Sequence, residues 1–391
     1  MMRRIKILLY GLLMCVGMQA QNIDKVLKSI EYNNIELKAM QKDAEAQYAE
    51  IRQQNSLEGL SVEYSPFMRS GVSGISSSEL IVSQSFDYPT LYGSRRKLGD
   101  MQRKASDLQY SVERRNILLQ AELKCLEWIR LNKHKQVLDE RLSSANQLLS
   151  VFEKRLKHGD VTILEVNKLR IEQMSLRTEQ AKNSVAQHEV YQQLVALNAN
   201  HPLQLEDLTY TIIPNSLQED SLLLTLLERD VALKASLANE AVALQQIKFS
   251  KQSWLPQLSL GYRRNTEGSF VSHGIQIGVS LPLYSNKNKL KAAQAIFNGA
   301  QMRTQQTRMS VENELSTQLS TLRQLRASMK VYNLPLMQQS IQLLQKAVNI
   351  GEISVINYYI EVDQLYQKWQ EYIDTEHRYQ ATYAELNKNL L

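Results

Sequence analysis

Two hydrophobic periods alternate along this 391-residue chain, and both appear between Trp254 and Ala300. Leu258, Leu260 and Tyr262 alternate with Ser259, Gly261 and Arg263. After a Gly/Ser-bearing loop, Ile275, Ile277, Val279 and Leu281 alternate with Gln276, Gly278 and Ser280. Period-two alternation predicts strands with one apolar and one polar face. Past Pro282 the period becomes helical. A lone hairpin is marginal in water, so its presence in a helical chain needs an explanation.

A second copy supplies one. Leu60, Val62 and Tyr64 alternate with Ser61 and Glu63, and Leu80, Val82 and Phe86 form a further run. Leu91-Tyr92-Gly93 matches Leu283-Tyr284-Ser285, Lys97-Leu98 matches Lys289-Leu290, Gly159 matches Gly351 and Tyr191 matches Tyr383, always 192 residues apart. Upstream, Leu37-Lys38-Ala39 matches Leu233-Lys234-Ala235, the first hairpin loop being the longer. The chain reads as a tandem duplication of helix, hairpin, long helix, turn and return helix. The expected divisions are 1–20, a signal peptide; 21–200, a first repeat with strands at 58–65 and 79–88 and a turn near 159; a linker, 201–220; and 221–391, a second repeat with strands at 257–264 and 273–283 and a turn near 351.

Leu98, Met101, Ala105, Leu108, Val112, Leu119, Leu123 and Leu126 follow the three-four spacing of a coiled-coil seam, interrupted by Arg115. The second copy is more polar, with Leu290, Ala293, Phe297, Ala300, Thr304 and Val311, and Pro335 should break or kink its long helix. Gly159 after Lys157-His158 reads as a glycine C-cap on a basic helix end, and Thr162 with Glu165 as a capping box. Gly351, Ser354 and Asn357 repeat the idea. A helix from about Tyr92 to His158 would run about 100 Å.

Composition and charge narrow the function. Arg3, Arg4 and Lys6 before the apolar stretch Ile7–Met18 and Gln19-Ala20 make an export signal, and removing it lowers the net charge from +6 to +3. That balance is too weak to argue for nucleic acid. A lipid on Cys15 would follow Met14, a poor residue at that place. Only Cys125 then remains, so an intramolecular disulfide and a cysteine-built zinc site are both excluded. Six scattered histidines have no metal-ligand spacing, and neither a Gly-rich nucleotide loop nor a nucleophile–base set is present. No catalytic residue, metal or cofactor is expected, and the chain is not read as an enzyme. Past the signal, no apolar run approaches the ~20 residues of a spanning helix, so any membrane entry must use strands.

Four strands are too few to close, and an open sheet edge is forbidden in lipid, so a barrel must close through other copies. Two copies would nearly fill the interior; three give twelve strands and a lumen. Its lining would be the polar faces: Ser61, Glu63, Ser259, Gly261, Arg263, Gln276 and Ser280. Phe67, Phe86, Tyr88, Tyr92, Tyr262, Phe270 and Tyr284, near strand ends, suit interfacial girdles.

With the doubled architecture, Trp254-Leu255-Pro256-Gln257-Leu258 entering strand three, Val279-Ser280-Leu281-Pro282-Leu283 leaving strand four and two Gly-x-x-[ST] helical turns, the chain resembles the TolC-type outer membrane efflux family over essentially its whole mature length. The resemblance implies a mainly α fold with a small β part: tandem long helical hairpins plus four strands per protomer, completing a 12-stranded trimeric barrel. It implies a homotrimer in bacterial outer membrane lipid, with a helical tunnel extending into the periplasm. Its partners would be a periplasmic adaptor (membrane fusion protein) and an inner-membrane transporter of RND or ABC type, with no nucleic acid. The channel would be a passive conduit performing no chemistry.

By that resemblance, His158, Gly159, Asp160, Ile350, Gly351 and Glu352 form the adaptor-docking tip, and Glu165, Asn357 and Glu361 line the entrance. Family channels can carry acidic residues six and nine positions after the turn glycine. Here those places hold Glu165 and Lys168, then Asn357 and Ile360, so the ring is reduced to Glu165 with help from Glu361. Glu165 also reads as a helix cap, and the roles can coexist. The other readings are a soluble periplasmic coiled coil and an adaptor. The second would need Gly- and Val-rich lipoyl-like and barrel domains that this sequence does not show.

Overall fold

A computed structural model describes residues 21–71, 73–205, 208–213, 219–282 and 288–391. The expected signal peptide with Cys15, the Leu283-Tyr284-Ser285 match and part of the linker lie outside them. In chain order the elements are α1 (Gln21–Asn33), α2 (Ile35–Gln53), β1 (Ser61–Phe67), β2 (Ser77–Phe86), α3 (Pro89–His158) and α4 (Ile163–Leu197). The second repeat gives α5 (Glu219–Arg229), α6 (Val231–Gln252), β3 (Gln257–Glu267), β4 (Phe270–Ser280), α7 (Lys289–Met329), α8 (Leu334–Ile350) and α9 (Val355–Leu386).

The four strands form one antiparallel sheet in the order β1-β2-β3-β4, so β2 pairs with β3 across the repeats while β1 and β4 are edges. Strand bounds differ from the alternation for local reasons. β1 runs on to Phe67 through Pro66, which an edge strand tolerates because the missing N–H costs it no ladder bond. β2 stops at Phe86, since Pro89 opens α3. Pairing carries β3 and β4 through the polar stretch Arg263–Glu267 to a tight turn at Gly268, where φ is +55°. At the other end, β4 stops at Ser280, before Pro282.

α3 is continuous for 70 residues, about 105 Å of helix. Against α4 it makes an antiparallel ladder: Gln173 to Asn146 at 2.6 Å, Gln180 to Asp139, and Gln187 to Asn132 at 2.6 Å. Each rung lies seven residues from the next on both helices, the heptad register of a coiled coil. The seam is only partly the one expected. Leu98, Ala105 and Leu126 are buried, but past Val112 burial falls on Ile117, Leu118, Ala121 and Cys125, with Leu119 and Leu123 half-exposed. Arg115 sits in that shifted face, bonded to Asn389 and Asn116. In the second repeat the long helix is broken. α7 ends at Met329, Asn333 caps α8 through Leu336 N–H at 3.1 Å, and Pro335 occupies the first turn.

Two compact units result, and each draws on both repeats. One contains the described residues up to Lys38 and within Glu113–Glu228 and Glu312–Leu391; the other contains those within Ala39–Val112 and Arg229–Val311, including the sheet. In the first, α3, α4, α8 and α9 share a core of Val137, Leu148, Phe152, Val166, Leu169, Ile341, Val348, Val355, Tyr358, Tyr359, Val362, Tyr366 and Ile373.

Gly261 marks where the sheet is least forgiving. A Cβ there would lie 2.8 Å from the Val82 carbonyl oxygen and 2.9 Å from Ser83 Cβ, whereas one at Gly274 meets nothing within 4 Å. Gly261→Val should therefore destabilise the folded protein by about 1–3 kcal/mol, while Gly274→Val leaves it nearly unchanged. Thermal unfolding in detergent, followed by near-UV circular dichroism, checks both.

Candidate channel wall and helical tip

Directly paired strand residues project to the same side of a sheet. The register Ser61↔Ser83↔Gly261↔Gln276 and Glu63↔Ile81↔Arg263↔Gly274, with Ser85↔Ser259 and Gln257↔Ser280, puts Ser61, Glu63, Ser259, Gly261, Arg263, Gln276 and Ser280 on one face. Glu79, Asn265 and Glu267 share it, and the Arg263 guanidinium pairs with the Glu79 carboxylate. Glu79 escaped the sequence reading although its parity with Ile81 and Ser83 places it there. The opposite face carries Val62, Tyr64, Leu80, Val82, Phe86, Leu258, Leu260, Tyr262, Ile275, Ile277 and Val279. Ile275 is 80% and Ile277 77% exposed. Phe67 and Phe270, expected in a girdle, have the parity of Glu267 and stand on the polar face, because each lies an even number of residues from polar-face positions on its own strand.

The two helical turns are built alike. Gly159 and Gly351 have φ of +79° and +83°, a left-handed conformation that glycine adopts without strain. Asp160 N–H donates to the Arg155 carbonyl and Glu352 N–H to the Ala347 carbonyl, each at 3.0 Å, closing the same six-residue loop. The Arg155 guanidinium also donates to the Asn349 carbonyl, tying the end of α3 to the end of α8. His158, Asp160, Ile350 and Glu352 are exposed. So are Leu164 at 75% and Ile356 at 57%, equivalent positions in the two repeats.

Glu165 forms the capping box: its carboxylate accepts from Thr162 N–H at 2.9 Å, and its own N–H donates to Thr162 Oγ1 at 3.3 Å. Asn357 is exposed, its N–H donating to the Ser354 hydroxyl at 3.2 Å, and Glu361 is exposed on α9.

Two clusters in the same unit were not foreseen. Arg141 on α3 contacts Asp363 on α9 at 2.7 Å and Glu172 on α4 at 3.2 Å, and lies over the Tyr366 ring. Burial outweighs the arginine and pushes both carboxyls above their ordinary range. Further along, Arg130 joins Glu127 at 2.7 Å and Asp374 at 2.9 Å, flanked by His134, His377 and the Lys133–Glu376 pair. Burial alone would raise the Glu127 carboxyl, but Arg130, His377 and Lys124 hold it below its usual value. Burial lowers His377. Both clusters link residues far apart in sequence, which local spacing does not reveal. Among the described residues no group of histidine, cysteine or carboxylate side chains could hold a metal, and no helix is long and apolar enough to cross a membrane.

Residues 222–390, the second repeat, match the family described as Outer membrane efflux protein. The fold is that of TolC-type channels. A membrane protein from Pseudomonas aeruginosa superposes with a TM-score of 0.78 at 17% identity, covering 95% of this chain and 90% of that one. The Campylobacter jejuni CmeC outer membrane channel gives 0.74 at 15%, covering 94% and 85%. The Vibrio cholerae outer membrane protein VceC gives 0.73 at 15%, covering 94% and 95%. No curated protein matches this sequence.

Glu122 on α3 offers a pH test of the helical core. Burial, then Asp24, raises its carboxyl to about 7. A carboxyl whose folded value is raised contributes stability that is full below about pH 4.5 and is lost as pH climbs through about 7. Glu122→Gln should match the wild type at pH 4 and exceed it at pH 8 by up to about 3 kcal/mol, measured by denaturant unfolding at both pH values.

Proposed function

We propose that the protein is the outer membrane channel of a tripartite efflux or secretion system, a passive conduit closed by three copies. The observation that carries this reading is the sheet: one face mostly apolar and exposed, with Gln84, Arg264 and His273 among its polar positions, the other polar, and two edges unpaired. A water-soluble periplasmic coiled coil would leave that apolar face in water and both edges open to uncontrolled pairing. Three copies give twelve strands, each β4 edge meeting the next copy's β1 edge, and satisfy every backbone group that lipid would otherwise strand. Ser61, Glu63, Ser259, Arg263, Gln276 and Ser280 then line the lumen, and the helices form a periplasmic tunnel.

At its far end, the turns His158-Gly159-Asp160 and Ile350-Gly351-Glu352 dock the helical hairpin of a periplasmic adaptor. The matched exposed residues Leu164 and Ile356 beside two identically closed turns support a repeated contact. Glu165 and Glu361 lie by the entrance, with Glu165 serving as helix cap and entrance charge together. An inner-membrane pump of the RND or ABC class supplies the cargo. The same chains without a pump would conduct ions and do no chemistry.

Reconstituted in a planar bilayer, the purified protein should show discrete conductance steps, and the Glu165→Gln/Glu361→Gln variant should change the step size. Asp160→Lys/Glu352→Lys should conduct as the wild type but lose pull-down of the adaptor. A silent bilayer defeats the conduit. Unaltered steps in the first variant defeat the entrance assignment, and retained pull-down in the second defeats the docking tip.

A further inference from the structure

Charge is sorted between the two faces of the sheet. From Leu60 to Phe86 and from Gln257 to Ser280 the only carboxylates are Glu63, Glu79 and Glu267, and by register all three stand on the polar face. Arg263 stands with them and is paired with Glu79. Arg264, its neighbour, points to the apolar side, where the row Tyr64–Leu80–Arg264–His273 crosses all four strands. Arg264 and His273 are directly opposed partners on β3 and β4. The His273 ring stacks on Tyr262 at 5.8 Å, and its Nδ1 is hydrogen-bonded to the Tyr262 hydroxyl, which fixes the imidazole and leaves Nε2 outward.

An arginine on a lipid-facing surface costs about 2–4 kcal/mol at the bilayer midplane and falls to near nothing only where it meets the polar interface. Such a residue is a functional-site candidate whose partner has to be named. On this face the described strand residues offer no carboxylate to be that partner. Barrel closure does not supply one, because the next copy's β1 would bring only Val62, Tyr64 and Pro66 to the same side. The connections contribute none either, since residues 68–76 and Gly268-Ser269 contain no acidic residue and include Arg69.

Height selects the ligand. Arg264 lies six residues beyond Leu258, about 20 Å along the strand, and four residues short of the Gly268 turn. At a tilt of about 40° that puts it in the outer half of an apolar band about 25 Å tall, so its side chain reaches the headgroup level of the leaflet nearer the hairpin tips. Resting on the channel reading above, which turns those tips to the cell exterior, we propose that Arg264 and His273 form a phosphate-binding site for a phosphorylated glycolipid of the lipid A class. The planar guanidinium takes two phosphate oxygens side by side, and His273 Nε2 closes the third side. Three such sites would ring the closed barrel.

The test compares the mature protein in phosphatidylcholine vesicles doped with diphosphoryl lipid A, dephosphorylated lipid A or phosphatidylglycerol at matched charge. The wild type should unfold at least about 2 °C higher with diphosphoryl than with dephosphorylated lipid A. Arg264→Gln/His273→Gln should lose that difference while keeping the wild-type midpoint in phosphatidylcholine, and Arg264→Lys, which keeps the charge, should lose only part of it. Arg69→Gln should leave the difference whole. No difference in the wild type, an undiminished one in the double variant, or an equal rise with phosphatidylglycerol overturns the site. Protein that fails to float with any vesicle overturns the membrane reading beneath it, a distinct result.

Discussion

The rest of the molecule depends on two rows of backbone groups with no partner, along β1 and β4. A four-stranded sheet with one polar and one apolar face is unfinished in water and forbidden in lipid. Copies of the same edges, meeting in a ring, satisfy both demands at once. The duplication follows from the same constraint: one hairpin per repeat gives a quartet, and in the proposed closure three quartets leave the interior open.

The helices answer a different requirement, reach. α3 achieves it without a break, held to α4 by rungs a heptad apart, while the second repeat covers a similar stretch in two pieces because Pro335 cannot sit inside a helix. The turns at Gly159 and Gly351 close with the same backbone bonds in both repeats. The half-buried ion clusters about Arg141 and Arg130 lie where helices of different repeats meet. With carboxylates this exposed, the pairs add little net stability, so these clusters fix which helices are neighbours more than they stabilise the bundle.

Alternation and turn chemistry were the legible parts of the sequence. Leu258 to Tyr262 and Ile275 to Val279 declare a two-faced strand, and Thr162 with Glu165 declares a capping box, because both depend on residues a few positions apart. Strand ends were less legible: Ser77, Ser78 and Asn265–Glu267 look like loop until pairing with a neighbour holds them extended. Phe67 and Phe270 were misplaced for a related reason, since aromatic character near a strand end says nothing of parity. The seam beyond Val112 drifted because Arg115 is accommodated by Asn389, 274 residues away. Glu172, Arg141 and Asp363 come together only through the bundle itself.

Closure by three copies is the claim on which the channel stands. Native mass analysis of the protein extracted in detergent from the outer membrane fraction measures it directly. The account predicts a trimer that persists only while detergent covers its apolar belt. A monomer or dimer, stable and soluble without detergent, would contradict it.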